Sequence, residues 1–125
     1  MKPTERIIEL AKRLHELGYS RKILIDDLVY IHIWDECRRI TGVDYKDRLV
    51  TLGRENIHDR EDCTLIPSLS DALDFLNENV DYPFPQLVPT DDGRWICSYN
   101  LENFIAVEDK QEACLEAMVK VLEGK

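Results

Sequence analysis

The sequence predicts an α+β protein, an antiparallel β-meander packed with helices, with one helix near each terminus. Three observations lead there. Residues 4–18 carry an amphipathic helical stripe, residues 110–122 carry a second, and between them 86–108 alternate short β-branched or aromatic runs with turn signals. The chain has 125 residues, which predicts one domain spanning 1–125 and allows a core without disulfide or metal staples.

TERIIELAKRLHELG (4–18) places Ile7, Leu10, Ala11, Leu14 and Leu17 on one face. Thr4 is the expected N-cap, and Gly18 stands where a left-handed residue closes a helix. His15 is expected at the solvated edge. LVYIHIW (28–34) alternates Val29, Ile31 and Ile33 against Tyr30, His32 and Trp34. Its β-branching favours a strand over the helix that Leu24, Leu28 and Ile31 would also tolerate. A short helical turn over 35–41 is expected to follow. Residues 43–63 hold no period and predict an irregular insertion, with a short strand near LVTLG.

Beyond it the signals sharpen. Ser68 and Asp71 form a capping-box start for a helix over 69–79, with Ala72, Leu73 and Leu76 inward. QLVPT (86–90) predicts an edge strand, because Pro89 has no N–H for a ladder. DDG (91–93) predicts a turn, and RWICSY (94–99) and FIAVE (104–108) predict the remaining strands. Asp109 with Glu112 caps the last helix, and Gly124 ends it.

Charge and composition narrow the function. The net charge of −9 disfavours nucleic acid and anionic membranes as partners. Residues 1–48 carry ten Lys/Arg against nine Asp/Glu, and 49–125 carry six against sixteen, so the acidity lies in the C-terminal part. No apolar run reaches the ~18 residues of a membrane span. Met1–Lys2–Pro3 leads directly into a charged helical pattern, so no secretory leader is expected. Four cysteines without a CxxC pair predict reduced thiols and a cytoplasmic location.

Two stretches echo each other: HIWDEC (32–37) and HDREDC (58–63). Each is His-x4-Cys with an acidic pair before the Cys. His32, Cys37, His58 and Cys63 would make a Cys₂His₂ zinc set, with Asp35, Glu36, Glu61 and Asp62 as acceptors for the imidazole N–H groups. Against this, neither half carries the tight turn that zinc modules use, and a strand over 28–34 leaves Cys37 past its end. The plainer reading packs Cys37 as a small hydrophobe and leaves His58 solvated. Cys97 and Cys114 are expected as buried thiols, and a dispersed Cys/His or carboxylate site would be the enzymatic alternative. Asp26–Asp27, Glu61–Asp62 and Asp91–Asp92 are expected to be solvated. The five glycines stand singly, so no phosphate-binding loop exists. Tyr82, Phe84, Trp95, Tyr99 and Phe104 cluster around the meander as packing residues. Leu87, Trp95 and Tyr99 mark the surface where a protein partner would extend the sheet edge.

LAKRLHELGY (10–19), IPSLSDALDFLNEN (66–79) and EDKQEACLEAMVKVLEG (108–124) cover about a third of the chain. In these pieces the chain resembles a group of small uncharacterised proteins of Bacteroides-type bacteria, associated with phages or mobile elements. Its strand-then-helix ending is similar to that of phage proteins of the α-β-α sandwich type. The resemblance implies a small cytoplasmic fold without an established activity and offers no catalytic residues to carry over; no cofactor is expected, with zinc the alternative. Together these readings make the chain a non-catalytic interaction or accessory protein.

Overall fold

The structure is a computed structural model that describes residues 3–52, 56–79, 86–98 and 106–124. It confirms the α+β class and divides into two compact units, Met1–Ile66 and Pro67–Lys125.

In the first unit, α1 (Glu5–Glu16) begins where Thr4 accepts the Ile7 N–H at 3.2 Å, and Gly18 follows it at φ +96°. Ile7, Leu10, Ala11 and Leu14 are buried along its stripe, and His15 is exposed. The strand expected over 28–34 is shorter: β1 (Leu28–Ile31) stops at Ile31. His32–Asp35 form a hairpin loop, closed by the Asp35 N–H donating to the His32 carbonyl at 3.3 Å, with Asp35 left-handed at φ +51°. The expected helical turn over 35–41 is instead β2 (Glu36–Arg39). Ile33, placed in register with Val29 and Ile31 by the alternation, lies in the loop and is 80 % exposed.

The stretch 43–63 contains the short strand expected near LVTLG and more besides. β3 (Gly42–Val43), β4 (Leu49–Val50) and β5 (Ile57–His58) make one antiparallel sheet in that order. A 3-10 turn over Arg60–Asp62 leads into β6 (Cys63–Leu65), which joins the other sheet in the order β2-β1-β6. Side chains alternate along each strand. Val29 and Ile31 therefore face one way, where they meet Ile23, Ile40, Leu49 and Cys63 in a common core, flanked by Trp34 and Leu65. Tyr30 and Thr64 face the other way, and α1 packs there against β6, with the Lys12 ammonium 4.4 Å from the Tyr30 ring centre.

Two turns of this unit are built on carboxylates. Asp27, expected to be solvated, accepts a two-pronged contact from Arg21 at 2.8 Å in each arm, and also the Leu24 N–H at 2.6 Å. Asp44 accepts the N–H groups of Lys46 and Arg48 at 3.0 and 2.8 Å and the Arg48 guanidinium at 2.9 Å, and so shapes the β3–β4 turn. Burial pushes the Asp44 carboxyl up, but these donors outweigh it and hold it below the ordinary range. A lowered folded value adds stability above the unfolded pKa, and that stability disappears as pH falls through the lowered value. The first unit is thus expected to lose stability below about pH 4. Asp44→Asn should flatten that acid limb in denaturation midpoints measured from neutral to acid pH. An unchanged limb would show that Asp44 does not contribute to it.

In the second unit, α2 (Leu69–Asn79) opens with the capping box: Ser68 and Asp71 each donate a main-chain N–H to the other's side chain at 3.0 Å. Ala72 and Leu76 are buried. β7 (Gln86–Pro89) and β8 (Trp95–Ser98) pair antiparallel across a turn that holds Gly93 at φ +83°. Of the expected strand 104–108, Val107 bridges Trp95, and Phe104 and Ile105 lie outside the described residues. Asp109 caps α3 (Lys110–Glu123) by accepting the Glu112 N–H at 3.0 Å. α3 packs on α2, β7 and β8, and its Gln111 amide donates to the Pro67 carbonyl at 2.7 Å.

Candidate functional site

The sheet order β2-β1-β6 makes the two echoing stretches neighbours, and register decides how their side chains meet. Cys37 stands opposite Tyr30, and Cys63 stands opposite Ile31. Consecutive residues of β1 point to opposite faces, so the two cysteines lie on opposite sides of the sheet. Cys63 is buried in the core, where desolvation first, then Asp62 and Asp59, push its thiol up to about 11. Cys37 is half-buried, and its thiol is also raised, by burial and by Asp35.

The histidines go separate ways too. His32 is exposed on the Tyr30 face. Its Nε2 lies 2.7 Å from the Thr64 hydroxyl, and its ring stands edge-on to Tyr30 with centres 5.1 Å apart. Tyr30 in turn donates to the Asp35 carboxylate, which holds the phenol above its ordinary range. His58 is buried rather than solvated. Its ring stands edge-on to Trp34 at 4.5 Å between centres, and Nε2 is 3.5 Å from the Thr51 hydroxyl. The stretches do touch, through Trp34 on His58 and through the His32 N–H donating to the Asp62 carbonyl at 3.0 Å. They meet as packing and main-chain partners, and the four proposed ligands do not converge. Among the described residues no three His, Cys, Asp or Glu side chains are grouped to hold a metal ion.

A cleft of about 300 Å³ opens beside His32, lined also by Lys12, His15, Arg60, Glu61 and Thr64. Its cationic groups have structural tasks. Lys12 sits on Tyr30, and Arg60 donates to the carbonyls of Ile23 and Asp47 and to the Asp47 carboxylate. The Thr64 hydroxyl is buried and satisfied by His32. Among the described hydrogen bonds, His32 pairs with Thr64 and His58 with Thr51, neither with a cysteine thiol. Sequence reasoning missed Arg60. Its role depends on Asp47 being left-handed at φ +61°, and the only signal in the sequence is the turn-prone run DYKD before it.

The sheet-edge candidates lie in the second unit. Leu87 pairs with Cys97, so both side chains share the face that Trp95 occupies. Lys110 of α3 stands over the Trp95 ring at 4.4 Å, which makes this the helix-facing side. Leu87 and Trp95 are accordingly half-buried, while Val88, on the outer face, is 41 % exposed. Tyr99 lies outside the described residues, as do Tyr82, Phe84 and Phe104. The main chain of Trp95 donates to and accepts from Val107 at 2.6 and 2.9 Å. Its N–H and C=O therefore turn away from β7, and the missing donor of Pro89 falls on the outer edge of β7, where it costs no ladder bond. By the same alternation the N–H and C=O of Leu87 also point outward.

This geometry gives an α+β fold in which β7 pairs with β8 alone among the described strands. No family model, curated protein or solved structure matches the chain. No described helix is long and apolar enough to cross a membrane.

Proposed function

We propose that this chain is a non-catalytic interaction or accessory protein, of phage or mobile-element origin, that binds an extended segment of another protein along the outer edge of β7. The observation that carries the reading is that edge. β7 pairs with β8 alone among the described strands, Leu87 directs its main-chain groups outward, and Val88 offers an exposed apolar side chain. Exposed Ile33, Tyr45 and Leu52, at 80, 88 and 75 %, give the first unit apolar loop contacts of the same general kind. The mobile-element origin rests on the resemblance of the helices.

Leu87→Pro removes the outward N–H, and Val88→Lys sets a charge beside the edge. Affinity capture from the source cells should recover a partner with the native chain and lose it with either variant, while circular dichroism stays unchanged. A partner held equally by all three forms, or no partner at all, contradicts the proposal.

A further inference from the structure

Cys97 and Cys114 face each other across the α3–β8 contact. Lys110 over Trp95 fixes one rung of that contact at 4.4 Å. Cys97 lies two residues beyond Trp95 on the same face of β8, and Cys114 lies four residues beyond Lys110 on the same face of α3. A strand advances ~6.6 Å over two residues and a helix ~6 Å over four, so the two thiols form the next rung. Both side chains are buried, at 1 and 0 % exposure, as free thiols, and each perturbs the other's proton affinity.

We propose that Cys97 and Cys114 are a peroxide-responsive dithiol that closes to an internal disulfide and staples β8 to α3. The sulfur of Cys97 attacks one oxygen of a hydrogen peroxide molecule that a local fluctuation admits beside the paired thiols. The O–O bond breaks, the departing hydroxide takes a proton as water, and Cys97 becomes a sulfenic acid. The Cys114 sulfur then attacks the Cys97 sulfur. The S–S bond forms, the S–O bond breaks, and the second hydroxide takes the Cys114 proton as water. Two thiols are oxidised, and one peroxide is reduced to two waters.

The order of attack follows from the pair itself. The Cys114 thiol beside Cys97 holds it below its ordinary range, against the opposing effect of burial. Cys114 is pushed up, by Cys97 first and then by burial. The other cysteines provide a built-in comparison. Cys37 and Cys63 lie on opposite faces of their sheet, so they cannot close on each other.

The reduced full-length chain is treated with hydrogen peroxide, unfolded and alkylated with N-ethylmaleimide. Alkylation should fall from four sites to two, with the protein lighter by two hydrogen atoms before alkylation. A non-reducing digest should join Cys97 to Cys114, and dithiothreitol should restore all four sites. The staple should raise the thermal midpoint by roughly 10 °C. In Cys114→Ala the sulfenic acid has no resolving thiol, so dimedone should label Cys97. If that variant fails to fold, the disulfide map of the native chain decides alone. Full alkylation of Cys97 and Cys114 after peroxide, a disulfide in another pairing, or sulfinic acid at Cys97 would overturn the proposal.

Discussion

Replacing Ile31 with alanine is expected to destabilise the chain by about 3–4 kcal/mol, the largest effect of any single core truncation in the first unit. Ile31 ends β1, the central strand of β2-β1-β6, and is completely buried. Its side chain joins residues from both sheets, Val29 and Cys63 from one and Leu49 from the other, so neither sheet can close the resulting cavity by moving alone. The comparison is Ile33→Ala. Two residues on, with the same side chain and the same place in the alternating pattern, it should change stability by less than about 0.5 kcal/mol, because it lies in the hairpin loop. Urea denaturation of both variants checks this. Similar losses at the two positions would mean that the strand and its buried face continue to residue 33.

The contrast between Ile31 and Ile33 also shows what could be read from the sequence and why the rest was hidden. Helix boundaries were legible because they depend on local chemistry. Thr4, the Ser68–Asp71 box and Asp109 each satisfy main-chain donors within three residues, and those contacts all form. The hairpin 86–98 was legible for a similar reason, since a DDG turn between alternating runs sets its own register. The first unit is different. β3, β4 and β5 have two residues each, too few for any period to stand out. β1 and β6 are separated in sequence by all of them, so their pairing is a tertiary fact. The faces of Cys37 and Cys63 follow from that pairing and from nothing local. This is why equal spacing in HIWDEC and HDREDC suggested one ligand set, while their environments differ: a solvent-side hairpin for one, and entry into a core strand for the other.

Arg60→Ala is expected to cost about 2–3 kcal/mol, although it removes a side chain from a stretch that looks like a solvated charge run. The guanidinium, 25 % exposed, ties three segments together. Nε donates to the Asp47 carbonyl at 2.9 Å, one terminal nitrogen to the Ile23 carbonyl at 3.0 Å, and the other to the Asp47 carboxylate at 3.0 Å. Only the last of these is an ion pair, and Asp47 is well exposed, so charge attraction alone contributes little. Most of the effect comes from the fork. Two main-chain carbonyls, one next to the core residue Ile23 and one in the β3–β4 turn, lose a shared donor when it is removed. Lysine keeps the charge but cannot reach both carbonyls and the carboxylate at once, so Arg60→Lys should recover less than half of the loss. Asp47→Ala alone should cost under about 1 kcal/mol, and a double-mutant cycle should return only that coupling, leaving the carbonyl contacts as the remainder. Chemical denaturation of the four forms tests this. Full rescue by lysine would reduce the role of Arg60 to charge and return HDREDC to an ordinary solvated surface.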